Sequence, residues 1–278
     1  MSDHIVKSNG KLETFNEDKI ITSLVKAGAS PEQARETLDH LKPGIRDGAS
    51  TDDIHDLALD HLSKIEHKLV LRYSLKRAIM SMGPQGFVFE KYIAKILDRY
   101  GYSTQVGQVL KGCCVDHEVD VVAKKDNMVF FIESKYHNHR GTYSDVKTAL
   151  YIHARFVDIE KAIKKKQGPD NIHYHGWLVT NTKCTSDAVK YASCVKLKIM
   201  AWQYPKVKNL QYYIENKKVY PVSILTTITN NQKEILFNSG ILLVQELVSM
   251  DAENIMRLLS IDKIRTLKIL NEIDILLG

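Results

Sequence analysis

The sequence predicts a mixed α/β protein built from three segments. Residues 1–83 combine a short hairpin with helical patterns, which is typical of a small α+β domain. Residues 84–223 alternate strand and helix patterns, which indicates an α/β core. Residues 224–278 show only short helical patterns, so we expect a small helical domain there.

The composition of the 278-residue chain excludes several classes of protein. Hydrophobic residues make up 44% and charged residues 26%, which are values of globular proteins. No apolar run approaches the roughly 18 residues that span a bilayer, and the first residues lack an apolar export segment. The four cysteines form no C-x-x-C pair that would hold zinc. We therefore expect a soluble cytoplasmic protein without membrane contact.

The net charge of +6 is concentrated in the middle segment. Residues 84–223 hold 22 Lys/Arg against 13 Asp/Glu, whereas residues 1–83 hold 12 against 13 and residues 224–278 hold 5 against 7. A basic segment between two nearly neutral ones favours a polyanionic partner such as DNA. The alternative is that these lysines only solubilise the surface.

Local signals place the elements of the first segment. Asn9-Gly10 predicts a hairpin turn between two short strands. Asn16 is a helix cap, and Ser30 with Gln33 forms a capping box for a second helix. Thr51 opens a third helix, and a fourth covers 69–82.

The middle and last segments are read in the same way. In the middle segment we expect, in order, a helix, two strands, a long helix, a strand, a helix and a strand: Phe87–Tyr100, Glu118–Ala123, Met128–Lys135, Asp145–Lys166, His175–Val179, Thr185–Cys194 and Lys198–Trp202. The last segment predicts four helices: Asn231–Ser239, Leu242–Ser249, Ala252–Leu259 and Asp262–Leu277.

The strongest chemical signal lies on the two adjacent strands. With Asp126-Asn127 as a two-residue turn, Asp120 stands opposite Glu133. Opposed Cβ atoms in a hairpin lie about 4.5–5.5 Å apart, so both carboxylates can reach one cation. Lys135 lies two residues after Glu133 and therefore on the same face of the sheet.

Two carboxylates and a lysine in this arrangement favour Mg²⁺-dependent phosphodiester hydrolysis. Carboxylate oxygens of Asp120 and Glu133 suit Mg²⁺, and Lys135 can orient the attacking water. Glu90 lies on the apolar row of the preceding helix and needs a partner, which a metal or Lys135 would supply. The competing interpretation is a salt-bridge ladder on the surface.

Residues 84–203 resemble the Mrr-like restriction endonucleases of the PD-(D/E)XK superfamily. The matching motifs are Gly86–Glu90, Gly101-Tyr102, Asp120 and Glu133-Ser134-Lys135, and His117-Glu118 stands where many members have a glycine pair. The resemblance implies a restriction-endonuclease-like α/β core. It also implies Glu90, Asp120, Glu133 and Lys135 as catalytic residues, with Asp120 and Glu133 as metal ligands.

Residues 3–82 resemble the ATP-cone, a nucleotide-sensing domain. The residues that carry the resemblance include Lys7, Glu13, Asn16, Lys19 and Thr51, and Ser8 stands where many cones have a phosphate-binding arginine. Two lysines near a hairpin can hold a triphosphate. The resemblance therefore implies ATP or dATP as an effector at these residues, and the absence of a G-x-x-x-x-G-K-[ST] loop argues against hydrolysis.

Other residues leave alternatives open. His137 and His139 either assist the chemistry or lie solvated in a loop. Lys147, Tyr151 and Arg155 share one helix row that either flanks a phosphate backbone or faces solvent. The last segment resembles a helix-hairpin-helix variant, whose backbone amides can bind phosphate. Its net negative charge argues against strong DNA binding, so a role in packing or dimerisation is an equal alternative.

Together these observations predict a Mg²⁺-dependent DNA endonuclease modulated by ATP or dATP. We expect a homo-oligomer, since two sites are needed to cut two strands. One alternative is a nucleotide-responsive DNA-binding regulator that does not cleave. Another is a junction or repair nuclease on the same fold.

Overall fold

The structure is a computed structural model that describes residues 4–7, 10–83, 86–167 and 171–278. The chain divides into two compact units. The first comprises Met1–Ser81, His139–Gly141 and Val222–Gly278, and the second comprises Met82–Asn138 and Thr142–Pro221. The three-domain division at residues 83 and 223 therefore stays a proposal, because its first and third segments share one compact unit.

The N-terminal part of the first unit is a hairpin followed by five helices. The strands are β1 (His4–Val6) and β2 (Leu12–Thr14), and the helices are α1 (Glu17–Lys26), α2 (Pro31–Leu41), α3 (Thr51–Ile65), α4 (His67–Tyr73) and α5 (Leu75–Met80). Asn16 caps α1, and Ser30 forms its capping box with Gln33, both as predicted. The cap of α3 is Ser50, which forms a capping box with Asp53, so Thr51 is the first helical residue.

The predicted fourth helix is two helices in the structure. α4 ends and α5 begins around Ser74, whose amide donates to the carbonyls of both Val70 and Leu71. Asn9 of the predicted hairpin turn lies outside the described residues.

Four helices form the C-terminal part of the first unit: α10 (Asn230–Asn238), α11 (Val244–Val248), α12 (Ala252–Leu259) and α13 (Lys263–Leu277). α13 packs against α4, and the turn Val222–Ile224 packs against α5. The carboxylate of Glu272 on α13 is 2% exposed. It accepts hydrogen bonds from the amide and hydroxyl of Thr226 and from the amide of Thr227, at 2.8, 2.6 and 3.1 Å, and also from the Thr227 hydroxyl.

The second unit is a mixed five-stranded sheet between helices. Its strands run in the order β3 (Ser103–Lys111), β4 (Asp116–Lys125), β5 (Met128–Lys135), β7 (His173–Thr180) and β9 (Lys198–Met200). The first three are antiparallel, and β5, β7 and β9 are parallel. A separate two-stranded sheet pairs β6 (Tyr143–Ser144) with β8 (Lys183–Cys184).

Helices cover this sheet and bury its strands. α6 (Phe87–Arg99) packs on β3, β4 and β5, while α7 (Val146–Gln167) and α8 (Ser186–Cys194) pack with each other near β7 and β9. A further helix, α9 (Leu210–Asn216), follows β9. Buried side chains lie on both faces of β5, including Phe130, Phe131 and Ile132.

The sequence missed β3 and α9 but predicted the central hairpin. Val121 pairs with Ile132 and Lys125 with Met128, which is the predicted register. β3 was not predicted because its exposed residues alternate with only partly buried ones. Gly107 in the middle of the strand has φ +65° and further weakens the strand pattern. Among the described residues, none of the helices combines the length and apolar content needed to cross a bilayer.

Candidate active site

Asp120 lies where β4 leaves its pairing with β5. It directly precedes Val121, the first residue of β4 that pairs with β5, and its Oδ2 accepts a hydrogen bond from the Ser134 amide at 2.7 Å. Burial, together with the negative charge of Glu133, raises the pKa of Asp120 to about 6. The carboxyl group is therefore held near the end of β5. The predicted register places Asp120 in the same region.

Glu133 is the buried centre of the cluster. Its side chain is 8% exposed, and its Oε1 lies 2.5 Å from the Nζ of Lys135. The other oxygen, Oε2, forms an ion pair with Arg155 on α7. The Arg155 guanidinium in turn lies over the Tyr151 ring, 4.5 Å from its centroid. One buried carboxylate thus contacts two cations, which offsets the cost of burying its charge.

Glu90 joins this cluster from the first turn of α6. Its backbone amide donates to the Gly86 carbonyl at 3.0 Å, which sets the start of the helix. Burial raises the pKa of Glu90 to about 7, with smaller contributions from Asp120, Glu118 and Glu133. The structure therefore brings Glu90, Asp120, Glu133 and Lys135 into one electrostatically coupled group.

The donor set fits a small divalent cation. Burial is the main cause of the raised pKa values of Glu90 and Asp120, and repulsion between neighbouring carboxylates adds to it; a bound cation would relieve that repulsion. Among the described residues no group of three or more His, Cys, Asp or Glu side chains is arranged to hold a metal ion. Proteins commonly bind Mg²⁺ through one or two carboxylates, with water molecules as further ligands. Asp120 and Glu133 are the residues that would hold it.

Two residues near the site were missed or given another role by the sequence. Arg155 was considered for phosphate contact, whereas it pairs with Glu133; nothing in local spacing reveals a partner 22 residues away. Asn181 is fully buried, and its side chain exchanges two hydrogen bonds with the backbone of His137. Its position directly after the apolar strand β7 is the signal that could have found it.

The residues expected to bind nucleotide gather around the first hairpin. Glu13 forms ion pairs with both Lys7 and Lys19. Asn16 accepts a hydrogen bond from the Lys19 amide at 3.0 Å, so it acts as the cap of α1. Val6 bridges to Ser50, which brings the start of α3 and Thr51 alongside β1. Ser8 lies outside the described residues.

Glu13 is the acid that a phosphate group could replace as the partner of Lys7 and Lys19. It neutralises two lysines that sit at the hairpin and at the helix after it. A triphosphate could replace that carboxylate with more negative charge, since lysine ammonium groups bind phosphate as point charges. The pairing keeps both cations near each other in the structure described.

Two families match parts of the chain. The ATP cone domain matches residues 3–80, so the first segment is an ATP-cone. The family described as AF1548-like, C-terminal, matches residues 220–277, which covers the helical C-terminal part of the first unit.

Similar proteins agree with this assignment. An uncharacterised protein of Archaeoglobus fulgidus is 34% identical over 167 residues, which cover 59% of this chain and 87% of that protein. The crystal structure of a protein of unknown function, AF1548, has a TM-score of 0.56 and 30% identity, covering 68% of this chain and 97% of that one. The MspJI restriction endonuclease bound to a 27-mer oligonucleotide reaches a TM-score of only 0.34 with 12% identity, covering 77% and 46%, and nothing about this chain follows from it. The chain belongs to the AF1548-like family and carries an ATP-cone at its N-terminal end.

Proposed function

We propose that this protein is a Mg²⁺-dependent DNA endonuclease whose activity responds to ATP or dATP bound by the cone. The observation that carries the proposal is the cluster of Glu90 from the first turn of α6, Asp120 from the middle of β4, and Glu133 and Lys135 from the end of β5. Clustered acids whose pKa values are raised by burial and by neighbouring charges are typical of functional sites.

Each residue has a distinct role in the proposed reaction. Asp120 and Glu133 would hold the cation, and a bound Mg²⁺ supplies positive charge against the negative charge that develops on the phosphate. Lys135, held by Glu133, donates a hydrogen bond to the oxygen of the attacking water and orients it toward phosphorus. Glu90 adds negative charge beside Asp120 and strengthens the attraction for the cation.

Arg155 acts as a positioning residue through Glu133. By pairing with Oε2 it fixes the carboxylate plane and leaves Oε1 on the side of Lys135. The Tyr151 ring beneath the guanidinium limits the rotamers that Arg155 can adopt. A lysine at this position would keep the charge but lose the planar contact.

The proposed substrate is DNA because the basic charge lies in the same unit as the cluster. An open groove of about 520 Å³ beside the site is lined by groups that include His117, Tyr151, Asp158 and Lys161. Positive and aromatic side chains of this kind contact a phosphate backbone and stack on bases.

The test is cleavage of several DNA forms by the full chain with and without Mg²⁺. We expect Asp120→Ala and Lys135→Ala to lower the rate at least about 10³-fold, since each loss removes on the order of 4 kcal/mol of transition-state stabilisation. DNA affinity should stay within about threefold. Asp187→Asn, an exposed acid of the same unit, is the control and should cut like the wild type. Cleavage by Asp120→Ala within threefold of wild type would refute the assignment.

A second candidate, nucleotide-responsive DNA binding without cleavage, is favoured by one observation. Glu133 already forms ion pairs with Lys135 and Arg155, so this carboxylate needs no metal to offset its charge. This candidate predicts tight DNA binding, no cleavage in Mg²⁺ or Mn²⁺, and no change in DNA affinity when Asp120 is replaced.

A further inference from the structure

The segment that follows Lys135 leaves the second unit for three residues. β5 ends at Lys135, and we call residues 136–141 the exit loop. Its residues His139–Gly141 belong to the first unit, whereas Thr142 returns to the second. The exit loop therefore links the proposed catalytic lysine to the unit that contains the ATP-cone, with only four residues between Lys135 and Arg140.

The end of the exit loop near Lys135 is fixed by Asn181. The His137 amide donates to Oδ1 of Asn181 at 2.9 Å, and Nδ2 of Asn181 donates back to the His137 carbonyl at 2.7 Å. Asn181 is fully buried, and the pairing of Lys135 with Thr180 places this clamp next to the end of β5. A displacement of the residues that follow His137 would therefore move the hydrogen-bonded backbone at His137, two residues after Lys135.

The far end of the exit loop is held by an ion-pair network in the cone. Nη1 of Arg140 lies 2.5 Å from Oδ1 of Asp52, and Arg140 is 20% exposed. Nη2 of Arg77 lies 3.1 Å from the same oxygen, and Arg77 also pairs with Asp56. One carboxylate oxygen therefore holds two guanidinium groups, of which one belongs to the cone and one to the exit loop.

Asp52 lies close to the residues that are proposed to bind the nucleotide. It follows Thr51 at the start of α3, beside the strand β1 that leads to Lys7. A triphosphate bound there brings several negative charges close to the Arg140–Asp52 pair. The free energy of that pair then differs between the loaded and the empty cone, and such a difference is what couples two sites.

We propose that the Arg140–Asp52 pair transmits the nucleotide state of the cone through the exit loop to Lys135. The proposal rests on the proposed function for its effect on catalysis. The transmission itself concerns only the cone, the exit loop and the clamp at Asn181. It gives the cone a direct covalent route to the proposed active site, in addition to any effect on assembly.

The test compares full-length Arg140→Gln and Asp52→Asn with His139→Gln, an exposed neighbour in the same loop. Calorimetry measures ATP and dATP binding, hydrogen exchange follows the His137 amide, and DNA cleavage is measured with and without nucleotide. In the wild type and in His139→Gln, nucleotide should change the exchange rate of His137 at least about fivefold, the lower end of usual couplings. In Arg140→Gln and Asp52→Asn the change should fall below twofold, while basal cleavage persists.

A conservative variant guards against a folding defect. Arg140→Lys, which keeps the positive charge beside Asp52, should retain at least part of the nucleotide response that Arg140→Gln loses. A His137 response that persists in Arg140→Gln would overturn the proposal, and so would absence of nucleotide binding by the wild type. If the exchange responds as expected but no DNA is cut, the coupling stands and the nuclease function fails. If DNA is cut but His137 ignores nucleotide, the nuclease function stands and the coupling fails.

Discussion

Replacing Glu272 with Gln should destabilise the first unit strongly. Four hydrogen bonds from Thr226 and Thr227 converge on this buried carboxylate. A glutamine keeps one acceptor oxygen but turns an NH₂ group toward the donors of Thr227. The Thr227 hydroxyl can rotate and accept from that NH₂ group, but the Thr227 amide is left without an acceptor, at about 1–3 kcal/mol. The remaining hydrogen bonds also lose their charge assistance, so we expect a loss of about 3 kcal/mol.

The charge of Glu272 adds a pH signature. The hydrogen bonds from Thr226 and Thr227 hold its pKa below the usual range despite burial. Because the folded state favours the ionised form, the stabilisation is complete above the unfolded pKa of about 4.3 and is lost as pH falls through the folded pKa. The difference between wild type and Glu272→Gln should therefore be full at pH 7 and shrink below about pH 4.

Calorimetry is the appropriate assay, because both tryptophans, Trp177 and Trp202, lie in the second unit and would not report on the first. About 3 kcal/mol corresponds to a Tm lowered by about 6–12 °C. Glu253→Gln, an exposed acid on α12, is the control and should leave Tm unchanged. A loss below 1 kcal/mol at pH 7, or an equal loss at pH 7 and pH 3, would refute the reasoning.

Three further predictions concern the two sites. Glu90→Gln should stabilise the fold by about 1 kcal/mol at pH 8, because it removes a charge that burial and Asp120 oppose, while lowering cleavage; a lower Tm would contradict this. Lys19→Ala should weaken ATP binding about tenfold in calorimetry, because it removes one of the two lysines proposed to hold the triphosphate; unchanged affinity would exclude Lys19 from the site. DNA affinity should fall steeply with salt, and Lys161→Ala should lessen the slope of log K against log salt by about one; a slope near zero would exclude a polyanion partner.

The parts of the fold set by neighbouring residues were predictable. The turn at Asp126-Asn127 determined the register of β4 and β5, and the alternation of apolar residues determined which strands are buried. The caps at Asn16 and Ser30 follow from side chains that bond amides two or three residues away. Such features follow from interactions between residues that are close together in the sequence.

The parts set by distant residues were not predictable. Arg155 lies 22 residues from Glu133, and Glu272 lies 46 residues from Thr226, so no periodicity records either contact. The same holds for the packing of α13 against α4, which joins the first and last segments in one unit. Roles for Glu90, Asp120, Glu133 and Lys135 stay predictions until cleavage is measured.

The order of the chain has a consequence for biosynthesis. The first unit is discontinuous: Ser223, whose hydroxyl donates to the Ala78 carbonyl at 2.7 Å, is translated only after the second unit has been made. At about 5–20 residues per second, the ribosome needs on the order of ten seconds between these two residues. The second unit is whole by Pro221, so it can fold while the nucleotide-sensing unit still lacks Glu272 and its partner helices. A newly synthesised chain would thus contain the proposed cutting site before the unit proposed to regulate it is complete.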